Sequence, residues 1–192
     1  TLTEQELLNA QYTGEWLTKA KQYFSKTNCE ASNYPVIRNY QGADYLKGSS
    51  IRQDYLATVL KWITDYVELE PRNKNGDNYM AEHQADETAS EIKNYYASVM
   101  DWINSKFKVY RKEMKGLEFG IFYNTFSRGQ CSNKIISHDA DYIENKITEL
   151  INDDEVKTVK GIYLYLIDGL EKNLSLRAFD EKTALKKYEE QN

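Results

Sequence analysis

Two histidines, His83 and His138, are the only imidazoles in the chain. Any histidine-based acid, base or metal centre must therefore combine one of them with carboxylates or with the two cysteines. The run His138-Asp139-Ala140-Asp141 offers the nitrogen and oxygen atoms that a cation takes. The same four residues are also an ordinary helix start, where acids offset the exposed amides and the positive end of the dipole. We adopt the helix start and expect no metal ligands. Asp153-Asp154-Glu155 is an acidic run of the kind that faces solvent, and among 30 acidic residues no catalytic pair is identifiable from order alone. The phosphate-cradling, nucleophile-elbow and zinc-protease signatures are missing from the sequence. The expectation is a chain without catalytic residues and without a cofactor of its own.

One stretch has a physical link to nucleic acid. Lys106-Phe107-Lys108-Val109-Tyr110-Arg111-Lys112-Glu113-Met114-Lys115 sets five cations against one anion, a local +4 inside a chain whose net charge is −5. Bases interleaved with aromatics neutralise phosphates and stack on unpaired bases. Lys106, Lys108, Tyr110, Arg111, Lys112 and Lys115 are the candidate contacts. The simpler explanation, preferred on the residues alone, is that these cations close a helix and complement the negative end of its dipole.

The elements that must carry these residues are helical. Only two prolines and nine glycines occur in 192 residues, too few to punctuate an all-β fold, while 41% hydrophobic and 13% aromatic residues supply a core. Sixteen tyrosines suit half-buried helix faces. Cys29 and Cys131 lie in no paired-cysteine motif, and no secretory leader is read before them. Free thiols and a cytoplasmic location are expected. No apolar run approaches the roughly 20 residues that span a bilayer, and mean hydropathy is −0.74. The acidic balance opposes general attraction to duplex DNA, so nucleic-acid contact must be local.

Along the chain, Thr3 with Glu6 predicts a capping box and a first helix with Leu7, Leu8 and Tyr12 on its apolar side. Gly14 marks a stop or bend before a second helix through Trp16, Leu17, Ala20, Tyr23 and Phe24. Residues 26–48 read as a long loop with a turn of helix near Ala43 to Leu46. Ser50 with Gln53 predicts another capping box, followed by a stripe of Ile51, Tyr55, Leu56, Val59, Leu60, Ile63 and Val67. A polar connector, Pro71 to Asn78, precedes a short helical or irregular piece from Tyr79 to Gln84. Thr88 with Glu91 predicts a third box and a long helix burying Ile92, Tyr95, Tyr96, Val99, Trp102, Ile103 and Phe107.

Leu117 to Phe126 fits helix or strand, with a short central helix favoured by spacing. Gly129 to Ser137 reads as loop. A helix from Asp139 to Asn152 should bury Tyr142, Ile143, Ile147, Leu150 and Ile151. A short helix at Val156 to Lys160 and another at Gly161 to Ile167 should follow, ended by Gly169. Asp180 would cap a last helix. The fold class expected is all-α, an irregular bundle of about seven to nine helices with long loops. It divides into an N-terminal part, 1–70, and a C-terminal part, 71–192, within one domain.

Several strings, in order, resemble the central region of a bacterial family. They are Leu2-Thr3-Glu4-Gln5-Glu6-Leu7 with Tyr12-Thr13-Gly14, and Tyr45-Leu46-Lys47-Gly48-Ser49-Ser50-Ile51-Arg52-Gln53-Asp54-Tyr55-Leu56. Tyr110-Arg111-Lys112-Glu113-Met114-Lys115-Gly116, Lys160-Gly161-Ile162-Tyr163, Leu174-Ser175-Leu176-Arg177-Ala178-Phe179 and Lys187-Tyr188-Glu189-Glu190-Gln191 continue the series. The family is that of domain of unknown function 262, ParB-like nucleotidase proteins related to modification-dependent restriction, many with a C-terminal HNH nuclease. The resemblance implies that residues 1–70 close the ParB-like region and that the last helix leads into the HNH module. It implies a bacterial phage-defence protein that cuts DNA with a nucleoside triphosphate. It carries over no catalytic residue, because the nucleotidase motif and the HNH histidines and cysteines are not in this chain. The function expected is a non-catalytic linker that contacts DNA through the basic stretch. The alternative is a tyrosine-rich protein-interaction or homodimerisation module.

Overall fold

The computed structural model describes residues 2–27, 29–33, 45–67 and 76–176. Among them the fold is all-α, eight helices with no strand. The expected turn at Ala43 to Leu46 and the final helix from Asp180 lie wholly or largely outside the described residues.

The expected boundary between residues 70 and 71 lies outside the described residues. Helix α3 (Asp54–Val67) packs on α5 (Ser90–Lys106) and α6 (Phe119–Ser127), so the core of the first unit runs straight across that point. The division falls after Cys131, giving units 1–131 and 132–192.

In the first unit α3 is central, with α1 (Glu4–Gln11), α2 (Glu15–Phe24) and α4 (Asp77–His83) completing the set. The Thr3 and Glu6 box forms as expected: the Glu6 N–H donates to Thr3 Oγ1 at 3.2 Å and the Thr3 N–H to Glu6 Oε2 at 2.7 Å. The inward face of α1 differs from expectation. Leu8 is buried, but Leu7 is exposed, and its place is taken by the amides Gln5 and Asn9. Gln5 Nε2 donates to Asn9 Oδ1 at 3.0 Å, and Asn9 Nδ2 donates to Gln53 Oε1. Buried amides are tolerated because each finds a partner. α2 buries Trp16, Leu17, Ala20, Tyr23 and Phe24 as its periodicity required. Gly14 precedes α2 because any Cβ there would run into the Gln84 carbonyl.

The second and third capping boxes do not form. Gln53 sits in the left-handed region, φ 66°, and its side chain is turned to Asn9, so it cannot return to Ser50. The start of α3 is held instead by Asp54, whose Oδ2 accepts the Ser49 N–H at 2.7 Å. α5 begins at Ser90 after Ala89 and has no side-chain cap. α3 buries Tyr55, Leu56, Val59, Leu60, Trp62, Ile63 and Thr64, while Ile51 and Val67 at the ends of the expected stripe are exposed. α5 buries Ile92, Tyr95, Tyr96, Val99, Trp102 and Ile103 of the expected set, with Met100 added, and Phe107 is buried just beyond its end.

α6 resolves the ambiguous aromatic run as helix. Gly120 lets it approach α3 closely, since a Cβ at that position would overlap the Trp62 ring. Buried Asn124 then joins three elements. Its Nδ2 donates to the Trp62 carbonyl at 2.9 Å and to Asp65 Oδ2 at 2.8 Å, and its Oδ1 accepts the Tyr95 hydroxyl at 2.9 Å. Arg128 reaches the last turn of α3, donating to the Asp65 and Tyr66 carbonyls. A cation there satisfies orphan carbonyls and the dipole together.

The second unit holds α7 (Ala140–Ile151) and α8 (Val159–Asp168), flanked by 3-10 turns at Lys134–Ser137 and Glu171–Leu174. Asp139 caps α7 by accepting the Tyr142 N–H at 2.9 Å. Ile143 and Ile147 are buried, whereas Tyr142 and Ile151, expected inside, are exposed. The two short helices expected between 156 and 167 are one, α8. Gly169 ends it with φ 71° and its N–H on the Tyr165 carbonyl at 2.9 Å. Gly161 permits contact with the 171–174 turn, because a Cβ would occupy the space of the Asn173 carbonyl.

Candidate nucleic-acid interface

The basic stretch is not the end of a helix. α5 stops at Lys106, and Phe107 is already extended, φ −117° and ψ 106°. Only Lys106 lies in the last turn, so dipole complementation accounts for one of the five cations. The others sit on a loop and a 3-10 turn, Lys112–Met114.

Apolar anchors fix this loop. Phe107 is buried, with its ring centroid 5.9 Å from Phe119 and 6.2 Å from Trp102. The Tyr110 ring lies 5.3 Å from Tyr45. Met114 is fully buried, and the backbone N–H of Arg111 points at its sulfur, 3.4 Å away. Leu117 closes the series. Between these anchors Lys108, Lys112 and Lys115 are exposed and Arg111 is half-buried. Lys112 approaches Glu113 at 3.8 Å with its side chain 91% exposed, too loose to neutralise it. Lys106 Nζ stands 5.0 Å from the centre of the Phe126 ring.

Folding adds a cation that chain order does not place here. The Gly116 N–H donates to the Tyr45 carbonyl at 2.8 Å, and Gly116, at φ 71°, packs against Lys47. Lys47, exposed, thereby joins the loop. Its only signal in the sequence is a lysine beside glycine, which is too common to single out.

Next to Gly116 a cleft of about 450 Å3 opens between residues 45–48, α3 and residues 116–118. Glu118 is fixed at its edge. Oε1 accepts from Lys61 Nζ at 2.7 Å and Oε2 from Trp62 Nε1 at 2.8 Å.

The histidines are placed elsewhere. His83 ends α4 with Nδ1 2.7 Å from Asp86 Oδ2 and Nε2 3.6 Å from Glu91 Oε2, its ring against Tyr79. His138 is exposed beside Tyr142, while Asp139 serves as the cap of α7. Among the described residues no three histidines, cysteines or acids gather as a cation site would need. Cys29 is buried, with its sulfur near the Phe24 carbonyl and Ser32 Oγ; both thiols are free. Burial pushes the Cys131 thiol up, against a smaller opposing pull from Lys106. Among the described residues no helix is long and apolar enough to cross a membrane.

Comparison with protein-family models, curated proteins and solved structures finds no match to this chain.

Proposed function

We propose that this chain is a non-catalytic helical module that contacts nucleic acid through the loop at residues 106–115, within a restriction-type nuclease of the kind its strings resemble. The observation that carries the reading is the alternation on that loop. Phe107, Tyr110, Met114 and Leu117 point into the unit, and this leaves Lys108, Arg111, Lys112 and Lys115 on the outward side with Lys47 beside them. A row of cations on an acidic protein attracts phosphate locally while the remaining surface discourages other contacts.

The test replaces Lys108, Arg111, Lys112 and Lys115 by alanine in the protein with its flanking regions. Affinity for DNA falls, and the slope of log affinity against log salt becomes shallower by about three to four, near 0.9 per lost phosphate contact. An unchanged slope removes the reading. The parent assignment is tested separately by the coding sequence on either side, which should encode ParB-like and HNH motifs.

A second reading, a protein-interaction or dimerisation module, is favoured by Tyr66. It is 42% exposed at the end of α3 beside exposed Val67, with its ring 5.1 Å from Tyr95 and 6.1 Å from Tyr123. Concentration-dependent mass in light scattering, abolished by Tyr66→Ser, would favour it over DNA contact.

A further inference from the structure

The amides that α1 turns inward are not closed on themselves. Gln5 is 7% exposed, and its Nε2 is engaged twice, by Asn9 Oδ1 at 3.0 Å and by Met80 Sδ at 3.7 Å. Asn9, equally buried, passes its own N–H to Gln53 Oε1. Gln53 is held for this at φ 66°, a conformation that residues other than glycine seldom adopt, with its N–H on the Ser50 carbonyl at 2.8 Å. Three amides thus form a head-to-tail relay with two ends left over. Among the described residues nothing donates to Gln5 Oε1, and nothing accepts from Gln53 Nε2.

Gln5 and Gln53 line one cleft of about 340 Å3, formed by α1 and the start of α3. An acceptor this buried is costly without a donor, so the cleft is built for a molecule that supplies one. The relay also sharpens its ends. A Gln5 amide that donates has a more basic carbonyl, and a Gln53 carbonyl that accepts makes its own N–H the stronger donor. We infer that the cleft binds the primary carboxamide of a free amino acid, glutamine above others. The ligand NH2 donates to Gln5 Oε1 and its carbonyl accepts from Gln53 Nε2, which closes the relay into a ring of four amides. Exposed Arg52 and Glu4 also line the cleft, one charge of each sign, and suit the α-carboxylate and α-ammonium of a zwitterion. The other two charged lining residues are engaged by the protein, Asp54 by the Ser49 N–H at 2.7 Å and Lys61 by Glu118 at 2.7 Å. Glutamate has the same size, but its carboxylate has no hydrogen to give and meets Gln5 Oε1 acceptor to acceptor. The inference does not rest on the nucleic-acid reading.

Isothermal titration calorimetry of the whole chain with L-glutamine, L-glutamate and glutamine blocked at both its α-amino and α-carboxyl groups tests this. Glutamine should bind saturably, and glutamate at least roughly tenfold more weakly, the loss of one hydrogen bond in a site shaped for it. The blocked glutamine, which stands for a side chain within a peptide, should also bind more weakly, because it gives Arg52 and Glu4 nothing to hold. Gln53→Gly keeps the left-handed backbone and removes the amide, so it should weaken glutamine binding at least roughly tenfold, with melting followed by circular dichroism to establish that it is folded. Arg52→Ala, at an exposed position, should weaken glutamine and leave the blocked form unchanged. No saturable binding of glutamine, equal binding of glutamate, or glutamine binding that survives Gln53→Gly overturns the site. Blocked glutamine binding as tightly as the free form overturns its assignment to a free amino acid.

Discussion

Asn124 shows how much one buried polar side chain can organise. Its amide satisfies a carbonyl of α3, a carboxylate of α3 and a hydroxyl of α5 at once. Removing it takes a hydrogen bond from each, although Asp65 keeps Arg128 at 3.4 Å and the Tyr95 hydroxyl keeps the Gly120 carbonyl at 3.5 Å; a buried polar group that loses its partner costs about 1–3 kcal/mol. Asn124→Ala should therefore lower unfolding stability by about 2–4 kcal/mol, read as a fall in the urea midpoint at constant slope. A loss under a few tenths would show that the network relaxes or admits water. Trp62 and Gly120 act as a pair in the same place, the glycine giving the indole its room. Periodicity found neither Trp62 nor Asn124, because one lies off the counted stripe and the other is an amide in an aromatic run. Their importance arises only where α6 meets α3.

At the scale of the element, the basic loop imitates a helix in its spacing. Phe107, Tyr110, Met114 and Leu117 recur at three and four, as helix faces do, yet the segment is extended and then 3-10. Its anchors reach different partners: Phe119 and Trp102 for Phe107, Tyr45 for Tyr110. Those tertiary contacts override the local pattern and explain why dipole complementation was the simpler sequence reading. α8 offers the opposite case, a helix that runs through an expected break because Gly161 serves close packing there and ends nothing. Gly161→Ala should push the 171–174 turn away from α8. The expected result is loss of amide exchange protection along α8 and α7, and retained protection would show that the turn moves without consequence.

For the whole molecule, tyrosine burial links stability to alkaline pH. Tyr79 and Tyr95 both titrate far above the ordinary tyrosine range. For Tyr79 the causes are burial first, then Glu91 and Asp86; for Tyr95 burial dominates, against a hydrogen bond to Asn124 that works the other way. Both hydroxyls stay protonated when folded and ionise near pH ~10 when unfolded. Their contribution is therefore whole below pH ~10 and is lost as pH rises beyond it, since the native state then holds more protons than the unfolded one. Thermal melts should show a falling midpoint above pH ~10, and a flat profile would contradict the burial of these rings. Tyr79→Phe should reduce that fall at little cost, because the Tyr79 hydroxyl is buried without a hydrogen-bond partner among the described residues. Helical class, the faces of α2 and α5, the first capping box and the stop at Gly169 were settled by the sequence, since each depends on residues within a turn or two of one another. The division after Cys131, the loop conformation of the basic stretch, the arrival of Lys47 and the cleft holding Glu118 were decided by tertiary structure. They depend on which distant segments meet, and local spacing carries no information about that.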